Sequence, residues 1–161
     1  MKKRSKYRPR AVMKNPLEFV LSGLLPLKYL PGVYVDVQIK NRSALDQLRT
    51  GKASLGDIEM LILAFNLTEA LALRGKGHDW LEEINQGQAA LLALSRRGSV
   101  NKMQFTMTAA QWVALKLVME LHEEQLANAT VQDIEKAHDF VMKAISLGKA
   151  QSVVQTTKEI T

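Results

Sequence analysis

From Ser54 onward, apolar positions recur at the three- and four-residue spacing of helices, and local punctuation divides them into segments. Ser54-x-x-Asp57 reads as an N-cap with an acidic first turn, opening a helix that runs to about Leu73 before Gly75. Within it, Met60–Phe65 is apolar on every side, which predicts a central helix buried all round. Asp79 to Arg97 forms the next helix, which Gly98 ends, with Arg96 and Arg97 near its negative dipole end. Thr108-x-x-Gln111 is a capping box that opens Ala109–Ala127. Thr130-x-x-Asp133 opens Val131–Leu147, which Gly148 stops.

The first fifty residues read differently. All four prolines (Pro9, Pro16, Pro26, Pro31) lie there, so no single long helix fits. Asn15-Pro16 opens a short helix, Leu17–Ser22, that Gly23 can end. Between Val33 and Ile39 the period switches to two, with β-branched residues at 33, 35, 37 and 39. That pattern predicts a strand. Its ladder groups need a partner, and Met103–Met107 is the one other alternating stretch available. Ser43–Arg49 then makes a short helix closed by Gly51. The expected fold is mainly α: a single compact domain of about five or six helices with a minor two-stranded β element. Residues 1–14 form a basic arm, 15–148 the helical domain and 149–161 a polar tail.

Ser54-Leu-Gly-Asp-Ile-Glu and Thr130-Val-Gln-Asp-Ile-Glu are alike. An internal duplication would produce the likeness, but so would two independent helix starts. The second explanation is favoured because capping selects these residue types.

Charge changes the picture more than composition does. The chain of 161 residues has 22 Lys+Arg against 16 Asp+Glu, a formal net charge of +6. Seven of those cations (Lys2, Lys3, Arg4, Lys6, Arg8, Arg10 and Lys14) fall in the first fourteen residues, and the first acid is Glu18. Residues 15–161 therefore hold 15 cations and 16 anions. The excess positive charge belongs to the arm, and it points to a polyanion. Arginine's planar fork suits phosphate, lysine adds a mobile point charge, and Tyr7 within the run can stack on an exposed base. An acidic protein surface, a nuclear import signal, an anionic membrane surface and a solubilising tail are the competing uses of such a run. Arg96–Lys102 is a second basic turn that extends the footprint if it shares a side with the arm.

Other chemistry is thinly represented. Without cysteine there is no disulfide, thiolate metal site or thiol nucleophile. Walker-type, dinucleotide-binding, G-x-S-x-G and H-E-x-x-H motifs are missing from the sequence. Arg74-Gly-Lys-Gly77 has neither the first glycine nor the spacing of a phosphate loop and reads as a helix stop. His122-Glu-Glu124 and His138-Asp139 lie on consecutive helices but match no ligand spacing, so no metal site is expected. Trp112, Leu115, Met119 and Leu126 share a stripe, which favours core over a partner groove. The basic start followed by Leu17–Leu27 imitates a secretory leader. Glu18 interrupts it, prolines bracket it and no small-x-small site follows, so a cytoplasmic protein is expected. No uninterrupted apolar run approaches the ~20 residues that span a bilayer.

The string Lys3-Arg-Ser-Lys-Tyr-Arg-Pro9, with Asn15-Pro16, Ile39-Lys-Asn41, Thr68-Glu-Ala-Leu71 and Gly87–Ala93, resembles a group of small, uncharacterised phage and prophage proteins. These open with a similar basic arm and continue into a helical body. The resemblance covers much of the chain; it implies a mobile-element origin and carries no catalytic residues. The leading expectation is a non-enzymatic accessory protein, without cofactor, that binds DNA or RNA through Lys2, Lys3, Arg4, Lys6, Tyr7, Arg8, Arg10 and Lys14. The alternative is an inhibitor or adaptor whose helical body docks on a host or phage protein.

Overall fold

Pro31 occupies the first turn of a helix, where its missing donor is no loss, and Tyr34 N–H closes that turn on Leu30 O at 2.9 Å. The computed structural model describes residues 22–148 and carries this helix, α1, unbroken from Pro31 to Arg49. The expected strand Val33–Ile39 is therefore the first half of α1, and the expected short helix Ser43–Arg49 is its second half. The proposed partner Met103–Met107 runs as turn and loop. No strand occurs among the described residues, which hold a single isolated bridge between Pro26 and Thr130. The β element is thus corrected to helix.

The physical reason lies in the second half of α1. Asn41, Ala44, Leu45 and Leu48 form a buried stripe at helical spacing, and helix extends backwards from it to the proline. β-branched residues prefer strands chiefly for the packing a sheet provides, and no sheet is offered here. Val35 and Ile39 pay for the outcome with solvent exposure, at 47% and 61%.

Four further helices follow: α2 (Leu55–Leu73), α3 (Leu81–Val100), α4 (Ala109–Asn128) and α5 (Val131–Ser146). Short 3-10 turns precede α1 at Leu27–Tyr29 and α3 at His78–Trp80. All three expected N-caps form reciprocal capping boxes: Ser54 with Asp57, Thr108 with Gln111 and Thr130 with Asp133. At the ends of α1 and α2, Gly51 and Gly75 adopt positive φ. The residue after each glycine closes back on the helix, Lys52 N–H on Gln47 O and Lys76 N–H on Leu71 O.

Gly98 does not stop α3. It lies inside the last turn with the Phe105 ring pressed on it, so that a Cβ added there would sit 2.2 Å from Phe105 Cδ1. The left-handed turn falls instead on Lys102 and Met103, at φ 50° and 62°.

The helices make one mainly-α domain organised around α2, which packs against α1, α3, α4 and α5. The main core joins Leu48, Phe65, Leu94, Phe105, Leu115 and Val118. A smaller cluster (Ala70, Leu71, Ala137, Val141) seats α5 on α2. Burial of α2 is not complete: Leu63 is 38% exposed, and Leu73 is 51% exposed where one flank between α3 and α5 stays open. Among the described residues no helix is long and apolar enough to cross a membrane.

Candidate nucleic-acid interface

The eight arm residues singled out above, Lys2 to Lys14, lie outside the described residues. What the structure does give is the place where the chain bearing them joins the body. Leu27 N–H donates to Ala129 O at 2.9 Å, and Val131 N–H donates to Leu25 O at 3.0 Å. These two bonds clasp Leu25–Leu27 to the turn between α4 and α5, with Leu27 buried. The local reason is chemical. Thr130 is already turned extended to cap α5, which leaves the peptides on either side free to pair.

The body itself carries no surplus of cations. Residues 22–148 hold 13 Lys+Arg and 14 Asp+Glu. Several cations are also occupied. Arg42 grips the Glu123 carboxylate with Nε and one terminal nitrogen, at 2.5 and 2.7 Å, and so ties α1 to α4. Arg97 donates to Thr106 O and to Gln111 Oε1, which pins the loop after α3 to the start of α4. Lys76 reaches Asp133 at 3.2 Å and Asn128 O at 3.4 Å. Burial pushes the Asp133 carboxyl up, but hydrogen bonds from Thr130 and Lys76 outweigh it and hold the group below its ordinary value.

The second basic turn does not join the arm's root. Arg97 contacts Gln111 at the first turn of α4, whereas the clasp lies beyond Asn128 at its end, about 26 Å away at the helical rise. Arg74-Gly-Lys-Gly77 is the C-terminal stop of α2: the N–H groups of Arg74, Gly75 and Lys76 all close on that helix's own carbonyls. They are unavailable to a phosphate.

The histidines separate. His122 is 1% exposed, its Nδ1 lies 2.9 Å from Thr68 Oγ1, and its Nε2 has no partner. Burial lowers its pKa to about 4, against a small opposing pull from Glu123. His78 and His138 are exposed. The Trp112 stripe turns inward, with Leu115, Met119 and Leu126 buried and Trp112 packed partly against the core.

Among the described residues two concavities stand out, and neither was singled out in the sequence. The larger, about 710 Å³, is the open flank of α2 between α3 and α5. Its lining mixes apolar side chains such as Ile62, Leu91 and Leu92 with polar ones, among them Asn85 and Gln88, whose Nε2 bridges Glu69 Oε2 at 3.0 Å and Asn66 Oδ1 at 3.2 Å. Leu73 and Phe140 stand half-exposed at its rim, and Arg96 lines one end without a carboxylate partner among the described residues. The smaller, about 220 Å³, opens beside Trp80 at the α2–α3 turn. Its one advance signal was Gly77 three residues before a tryptophan. Comparison with known family models, curated proteins and solved structures returns no match for the chain.

Proposed function

We propose that this is a non-enzymatic accessory protein of phage or mobile-element origin that binds nucleic acid in the cytoplasm through its N-terminal arm. One observation carries the reading: the net positive charge resides within residues 1–14, while the described body carries one more anion than cation. A compact cationic segment beside a near-neutral body suits phosphate contacts that are strong in total and weak in sequence discrimination. Lys2, Lys3, Arg4, Lys6, Arg8, Arg10 and Lys14 supply the charge, and Tyr7 a stacking face.

The test is a salt series with the full chain and a version lacking residues 2–10. If six cations meet duplex phosphates, log K falls with log salt at a slope of about −5, and the shortened chain loses most of both affinity and slope. Equal binding by the two, or no binding by either at low salt, removes the proposal.

A second reading has its own observation, the open flank of α2. A helix apolar on all sides is normally covered on all sides, and the exposed Leu73 and Phe140 at that rim suit an adaptor or inhibitor docking on a host or phage protein. A protein retained by the chain after nuclease treatment of a lysate, and lost on Phe140→Glu, is the expected result. Retention unaffected by that substitution removes this reading.

A further inference from the structure

The slot beside Trp80 lies next to the arm's root. Asn128, which lines it, immediately precedes Ala129, the residue that accepts Leu27 N–H in the clasp. Trp80 forms one side with its indole 45% exposed, and Ile84 and Leu121 supply an apolar floor. Gly77 keeps the space open: it sits at φ 92°, and a Cβ there would stand between Gln125 Nε2 at 3.5 Å and Trp80 Cδ1 at 3.9 Å.

The polar groups of the slot are mostly acceptors. Gln125 is 7% exposed and spends its Nε2 on Thr68 O and Lys76 O, while its Oε1 is itself buried, so this side chain braces the slot's base and the acceptors within reach of a ligand are those of Asn128 and Glu124. Asn128 spends Nδ2 on Glu124 O and keeps its oxygen. Glu124 brings a carboxylate with no side-chain partner among the described residues. The one nearby cation, Lys76, is held by Asp133 and by Asn128 O. An exposed aromatic wall with the Glu124 carboxylate and the Asn128 oxygen beside it calls for a flat ligand that carries donors on its edge.

We propose that this slot seats one unpaired nucleobase bearing an amino group, guanine above all, from a single strand whose phosphates the arm holds. The inference rests on the nucleic-acid reading of the arm and adds the kind of strand and the base. Indole stacking serves any base, and edge acceptors then choose among them. Guanine presents a ring N–H and an amino group side by side, the pair a carboxylate accepts with both oxygens. Thymine and uracil offer one ring N–H between two carbonyls, which the slot's acceptors repel. The edge must be free, so the base is unpaired.

The experiment uses the full chain with Trp112→Phe, which leaves Trp80 as the single indole. It is titrated at low salt with oligothymidylate and with the same strand carrying one central guanine, followed by emission and by anisotropy of the labelled strand. Expected are quenching of Trp80 and roughly tenfold tighter binding of the guanine strand. Trp80→Leu and Glu124→Gln each erase that preference without changing the salt slope. The same pair of strands made as RNA separates the two sugars. Equal, salt-sensitive binding of both strands with unchanged emission overturns the slot and leaves the arm reading intact. If neither strand binds, the arm reading fails, and guanosine 5′-monophosphate against thymidine 5′-monophosphate decides the slot: selective quenching retains it and none overturns it.

Discussion

Phe105→Ala is expected to destabilise the protein by about 3–5 kcal/mol, the range for truncating a fully buried phenylalanine. The ring, 1% exposed, closes the loop between α3 and α4 over the helix it has just left. Its seat exists because residue 98 has no side chain. Gly98→Ala in the intact protein should itself cost about 1–3 kcal/mol, since overpacking at 2.2 Å outweighs the ~1 kcal/mol that alanine offers a helix interior. With Phe105 already removed, the same substitution has room for its methyl and should become stabilising by up to ~1 kcal/mol. Urea denaturation of the two single variants and the double reads the coupling directly. Additive effects would show that the ring does not need the glycine.

Acid should weaken the protein through His122 more than its surface suggests. The folded state holds this imidazole neutral, with a pKa lowered from 6.5 to about 4 by burial. With the Thr68 hydroxyl donating to Ala64 O at 2.9 Å, His122 donates Nδ1–H to Thr68, and the bare Nε2 lies in the core. The unfolded chain therefore takes a proton more readily than the folded one. Stability from this group is complete above pH 6.5 and falls as the pH drops from 6.5 towards 4, by about 3 kcal/mol in all. The comparison that isolates it is Thr68→Val with His122→Phe, which removes both polar partners together. Between neutral pH and pH 4 the native protein should lose about 3 kcal/mol more than the double variant. Parallel stability–pH curves would assign acid sensitivity elsewhere.

What could be read in advance was local. Ser54, Thr108 and Thr130 announce their helices because an N-cap and its reciprocal partner are three residues apart, within reach of any window. The apolar run Met60–Phe65 likewise placed α2 at the centre. What misled was decided at long range. Val33–Ile39 alternates like a strand, yet its fate is set by Pro31 on one side and by the burial of Ala44, Leu45 and Leu48 on the other. Gly98 reads as a stop in isolation and becomes a packing glycine only once Phe105 returns from seven residues away. The arm's charge was legible from a count, but its root was not: the clasp joins Leu25–Leu27 to Ala129–Val131, a hundred residues on. Trp80 falls at the start of the segment Asp79–Arg97, and nothing local beyond Gly77 marks a slot there. The slot beside it needs α4 to be brought alongside.

The seating of α5 sets an order of opening. Its buried partners, Ala70, Leu71, Ala137 and Val141, form a cluster apart from the core that binds α1 to α4 together. A helix held by so small a cluster is expected to open as a sub-global unit at a fraction of the free energy of complete unfolding, which faster amide hydrogen exchange in α5 than in α2 would show. Detachment breaks the Val131–Leu25 bond, loosening the root of the arm, and at the same moment lays bare the remaining side of α2. The last described helix thus governs both the Leu25–Val131 bond and the cover over one side of α2.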